Sequence, residues 1–91
     1  MPDDTPMRLP LSSLEQGEAA VIEEVALAES DRRFLMRFGL FAGAEVKCLR
    51  RAPLGDPIVY ALDGSEVALR AETACQIVVS RREPRAMSGI A

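Results

Sequence analysis

AEVKCLRRAPLGDPIVYALDGSEVAL, residues 44–69, carries the reading that decides the fold class. Ala44-Glu45-Val46-Lys47-Cys48 alternates apolar with charged residues, and Ile58, Tyr60 and Leu62 alternate against Val59 and Ala61. A period of two belongs to a strand with one buried face. Asp63-Gly64 between two such runs is a two-residue hairpin signal, and Val67 and Leu69 continue the inward phase beyond it. The centre of the chain is therefore antiparallel β-structure.

The connection between the first two of these strands is stiffened. Pro53 presets the φ needed at the second position of a turn, Gly55 suits the fourth, and Pro57 biases Asp56 toward an extended conformation. Turn chemistry does not call for an apolar residue at the tip, yet Leu54 stands there with Arg50 and Arg51 behind it. A leucine on a pre-ordered loop is an anchor that binds at little ordering cost.

Ala71–Cys75 has room for barely one helical turn, and Gln76-Ile77-Val78-Val79-Ser80 reads as a last strand. Toward the N-terminus, Asp31–Phe38 reads as a short amphipathic helix with Ser30 as its N-cap. Phe34, Leu35 and Phe38 form its apolar face, Gly39 its left-handed stop, and Leu40 folds back on its last turn. Ala19–Leu27 reads as a strand with Val21, Val25 and Leu27 on one phase and Ile22 on the other, and Glu23-Glu24 marks a bulge. Leu11–Gly17 suits a single helical turn. Residues 1–8 and 83–91 are expected to be disordered or flexible ends, leaving residues 9–82 as one domain. About five short strands, with one helix after the first, are too little covered by helix for an open sheet. They define a mainly β domain, a small β-barrel with short helices.

Composition narrows the function. The net charge is −3, so no basic field favours nucleic acid. Lys47 is the only lysine and arginine supplies the other ten of eleven cationic residues, planar forks suited to carboxylates and carbonyls. Cys48 and Cys75, far apart in sequence, read as buried thiols of a reducing cytosol. No apolar run is long enough to span a bilayer, and Met1-Pro2-Asp3-Asp4 does not begin like a signal peptide. The chain has no histidine, and Glu15, Glu18, Glu23, Glu24 and Glu29 show no ligand spacing, so neither a stable metal site nor acid–base catalysis is expected. There is no phosphate-binding glycine loop with its lysine either. The expectation is a protein without enzymatic activity and without a cofactor.

Gly39-Leu40, Ala42-Gly43-Ala44-Glu45-Val46, Arg50-Arg51-Ala52-Pro53-Leu54-Gly55-Asp56-Pro57-Ile58 and Leu69-Arg70 stand in an order that resembles the FeoA family, small cytosolic proteins of bacterial ferrous iron uptake. Two departures are visible: Phe41-Ala42-Gly43 where the family commonly has Pro-Gly, and Ala71 where a lysine often follows Leu-Arg. The resemblance implies an SH3-like barrel and a partner, the cytosolic G-protein region of the membrane iron permease FeoB. It implies a cytoplasmic protein that is recruited to the inner face of the membrane without inserting into it. On this reading Arg50, Arg51, Leu54, Asp56, Leu40 and Phe41 contact the partner, and Pro53, Gly55, Pro57, Gly39 and Gly43 shape the loops. Two other readings stand beside it. One is a metal-sensing regulatory domain related to the SH3-like domains of metal-dependent repressors; the other is a self-associating homo-oligomer, because an exposed barrel edge pairs readily with its copy.

Overall fold

A computed structural model describes residues 6–82. The strands are β1 (Pro6–Pro10), β2 (Ala19–Val25), β3 (Glu45–Arg51), β4 (Ile58–Leu62), β5 (Ser65–Leu69) and β6 (Ile77–Arg82). A 3-10 turn at Leu11–Ser13 follows β1, helix α1 (Glu29–Met36) follows β2, and the one-turn helix α2 (Ala71–Ala74) follows β5. All ladders are antiparallel, in the order β1-β6-β2-β3-β4-β5. This is a mainly β sheet curved around one core, with six strands where five were expected. The extra strand is β1, whose register Pro6↔Arg82 to Pro10↔Val78 draws residues 6–8 into the sheet although their own composition suggests a frayed end. The expected ends 1–5 and 83–91 lie outside the described residues. No ladder joins β1 to β5 among the described residues; the 3-10 turn and α2, which continue these two strands, pack on each other across the seam.

The hairpin of β4 and β5 follows the period-2 reading: Ile58, Tyr60, Leu62 and Leu69 are buried and the Asp63-Gly64 turn closes the pair Leu62↔Ser65. The bulge in β2 also forms, between Ile22 and Glu24. It reverses the expected phase, because the extra residue flips which side chains face inward. Ala20 and Ile22 are buried before it, Val25 and Leu27 pack against the core after it, and Val21 is exposed.

Helix α1 starts two residues earlier than its sequence suggests. Ala28 occupies the N-cap position without a side-chain cap, and Ser30 lies inside the first turn beside Glu29 and Asp31, whose carboxylates suit the positive end of the helix. The stop behaves as expected: Leu40 N–H donates to Leu35 C=O at 3.1 Å and Gly39 N–H to Met36 C=O at 3.0 Å, with Gly39 at φ 92°. That pair of bonds is the Schellman arrangement, which needs a residue free to take positive φ. Leu35 and Leu40 enter the core, whereas Phe34 and Phe38 form an edge-to-face pair on the surface.

Leu11, Leu14, Ile22, Val46, Cys48, Ile58, Tyr60, Ile77 and Val79 fill the centre. Tyr60 is its largest side chain, and its hydroxyl donates to Leu11 C=O at 3.2 Å, pinning the 3-10 turn over the open end of the sheet. Burial pushes the Cys48 thiol up from 9.0, with Glu18 adding to the rise and Arg51 opposing it. Burial likewise raises Tyr60 from 10.0, helped by Cys48 and opposed by Arg51. Above these ordinary values the folded chain holds protons that the unfolded chain releases. Their contribution is therefore complete below pH 9 and is lost as pH rises, by at most about 1.4 kcal/mol per pH unit for each group. The thermal midpoint is expected to fall steadily above pH 9, and Tyr60→Phe should remove the part of the slope that begins near pH 10. A midpoint flat through about pH 11 would contradict this account.

Candidate functional site

The loop at 52–57 is held from inside and from both flanks. Gly55 N–H donates to Ala52 C=O at 2.7 Å, closing a turn with Pro53 second and Gly55, at φ 90°, fourth. Ala52 N–H donates to Pro57 C=O at 2.9 Å and extends the β3–β4 ladder to the base of the turn. The Asp56–Pro57 peptide is cis. Asp56 Oδ1 accepts the Ala71 N–H at 2.8 Å, tying the loop to the first turn of α2, and Arg70 Nη1 lies 3.8 Å from Asp56 Oδ2. Arg51 Nη2 donates to Ser12 C=O at 2.8 Å and to Leu14 C=O at 3.1 Å, so its guanidinium clamps the 3-10 turn to the end of β3.

These bonds redistribute the roles expected of the motif. Arg51 and Asp56 spend their polar atoms inside the molecule, as supports of the loop. Leu54 is 96% exposed at its tip, with no core neighbour. Arg50, two residues before the loop on β3, faces solvent and reaches across the sheet toward β5, its only ion pair among the described residues being Glu66 at 3.9 Å, both side chains well exposed. A pair so loose and so hydrated holds Arg50 only weakly.

Leu40 and Phe41 do not join this site. Leu40 is 0% exposed and belongs to the core, so the expectation that it contacts a partner is corrected: its burial is what closes α1. Phe41 is 44% exposed, but it lines a groove of about 810 Å³ with Gly39, Lys47, Leu62 and Asp63. That groove lies at the end of β4 opposite the Leu54 loop, roughly 13 Å away along the strand alone. Gly43, at φ 96°, donates to Ile22 C=O at 2.7 Å and sets the corner that carries Phe41.

The model of the FeoA domain matches residues 9–81. The chain belongs to the FeoA family. It is 42% identical to FeoA from Chlorobium tepidum, with a TM-score of 0.75 over 78% of this chain and 68% of that one. FeoA from Stenotrophomonas maltophilia, solved with zinc and described as a prokaryotic SH3 domain protein, is 32% identical with a TM-score of 0.65, over 78% and 88% of the two chains. A manganese-dependent transcriptional repressor, 22% identical, shares the fold with a TM-score of 0.69 over 82% of this chain and 42% of its own. No curated protein sequence matches the chain. The FeoA family is associated with ferrous iron transport.

The described residues of this FeoA chain contain no group of three or more Cys, Asp or Glu side chains placed to hold a metal ion. Glu18 is committed to an ion pair with Arg81, and Glu23 Oε2 accepts the Ser80 hydroxyl at 2.6 Å. These two carboxylates, one just before β2 and one within it, are thus each used singly by a β6 residue and do not converge. The two thiols differ. Cys48 is buried, as expected, but Cys75 is exposed at the end of α2, its thiol donating to Glu72 C=O at 3.1 Å. Native protein should therefore take up a single equivalent of iodoacetamide, at Cys75, and a second only in denaturant; peptide mass mapping checks this. The clamp by Arg51 and the tie from Asp56 have no local signature, because their partners lie 37 to 39 and 15 residues away in sequence.

Proposed function

We propose that this chain is a non-enzymatic accessory protein of ferrous iron uptake, docking on the cytosolic part of a FeoB-type iron permease with Leu54 as anchor and the exposed Arg50 of β3 as a second contact. The observation that carries this reading is the near-complete exposure of Leu54 on a loop braced by its own turn bond, by Asp56 and by Arg51. Burying a leucine contributes about 1.5–3 kcal/mol, and a loop already ordered gives little of that back as lost freedom. Arg50 can exchange its loose bond to Glu66 for a carboxylate on the permease at small cost. Membership of a family associated with ferrous iron transport supports the choice of partner. No helix among the described residues is long and apolar enough to cross a membrane, and recruitment to the inner face of the membrane runs through the permease.

Isothermal titration of the purified cytosolic region of the permease with this chain tests the proposal. Absence of binding would remove the permease from the account; binding that Leu54→Asp leaves unchanged would remove the loop. Titration with ferrous iron under anaerobic conditions separates docking from metal sensing. No saturable binding in the micromolar range is expected, and its observation would move the reading to a metal-sensing domain.

A further inference from the structure

The two edges of the sheet are unlike. In β1, Pro6 and Pro10 bring no N–H, and prolines on an edge strand discourage further pairing. In β5, Ser65-Glu66-Val67-Ala68-Leu69, nothing of the kind is present. The two-residue turn makes Leu62↔Ser65 a hydrogen-bonded pair, and alternation makes Tyr60↔Val67 and Ile58↔Leu69 the next ones. The N–H and C=O of Glu66 and Ala68 therefore point away from β4. No turn, loop or side-chain hydrogen bond reaches these four groups among the described residues, and both residues are exposed.

We propose that this edge pairs with the same edge of a second copy, antiparallel about a two-fold axis through Val67. The two outward residues are symmetric about Val67, so Glu66 meets Ala68 of the second copy and Ala68 meets Glu66 of the second copy. All four backbone groups on each strand are then satisfied by an isologous contact. Shifting the register by two residues in one direction sets Glu66 against its own copy, two like charges directly opposite. Shifting it the other way sets Ala68 against its own copy and carries Glu66 past the end of the strand. The register centred on Val67 is the one that pairs every group without a repulsion. The Ser65 hydroxyl donates to Phe38 C=O at 3.2 Å, so the turn that follows α1 stands beside the start of this edge. The Phe34–Phe38 pair, 53% and 36% exposed, adds apolar surface next to the new ladder. Five residues of strand and two rings fall below the ~1,200 Å² of a standard interface, so the dimer is weak and depends on concentration.

Analytical ultracentrifugation of the full chain from micromolar to millimolar concentration tests this. The weight-average mass should climb from 9.9 kDa toward twice that value. Ala68→Pro removes an outward N–H and sets a ring on the free edge without touching the β4 ladder, and it should stay monomeric throughout. A wild-type chain that is monomeric at every concentration, or an Ala68→Pro variant that dimerises as wild type does, overturns the proposal. Should Ala68→Pro lose its native amide spectrum, Val67→Cys in a Cys75→Ser background decides. Val67 faces its own copy in a non-hydrogen-bonded pair, where the side chains are closest, so oxidation should give a covalent dimer. Failure to cross-link would sink the arrangement.

Discussion

Leu54→Asp is expected to weaken binding to the permease's cytosolic region by ten-fold or more while leaving the thermal midpoint within about a degree of wild type. The first figure follows from the anchor. Its burial contributes about 1.5–3 kcal/mol and each 1.4 kcal/mol is a factor of ten, before counting the cost of desolvating an unpaired carboxylate. The second follows from the 96% exposure of Leu54, since a side chain that touches no core residue has nothing to lose in the fold. Pro53 and Gly55 remain, so the turn keeps its shape. Asp56→Ala makes the informative contrast. It frees the Ala71 N–H and cuts the tie between loop and α2, so it should lower stability by about 1 kcal/mol and weaken binding indirectly, through a looser loop. Calorimetric titration and thermal melts on both variants separate an anchor from its brace.

Tyr60→Ala is expected to cost about 3–5 kcal/mol, the largest effect of any single substitution considered. Tyr60 is the largest fully buried side chain, it sits at the middle of β4, and its hydroxyl holds Leu11 C=O. Truncating it leaves a cavity lined by neighbours from several strands and releases the 3-10 turn that closes the open end. Against a total stability of about 5–15 kcal/mol typical of small domains, such a loss removes from about a fifth to all of the margin. Tyr60→Phe keeps the ring and removes only the donor to Leu11. It should cost about 1 kcal/mol, a drop of roughly 4–8 °C in midpoint for a chain of this size. Chemical denaturation measures both, and a Tyr60→Ala variant within about 1 kcal/mol of wild type would contradict the packing described.

The features legible in the amino-acid order are local. The hairpin of β4 and β5, the Gly39-Leu40 helix stop, the Pro53–Gly55 turn and the bulge at Glu23-Glu24 all depend on residues within about five positions of one another. The family motif is legible for the same reason, since it is a run of turn-forming residues. Tertiary structure alone decided who meets whom at a distance. Val21 faces solvent because the bulge resets the phase only when β2 is registered against β6. Cys75 is exposed because α2 turns its end outward, and Leu40 is inside because the Schellman turn folds it down. Pro6–Pro10 becomes a strand because β6 offers an edge, although a stretch with two prolines in five residues has little strand propensity of its own. Arg51 and Asp56 became braces, leaving Leu54 and Arg50 as the outward part of the motif, because the curvature of the sheet carries the 3-10 turn and α2 to within hydrogen-bond reach of the loop. Those bonds join residues 15 to 39 positions apart, and local propensity carries no information about distances that only the curved sheet sets.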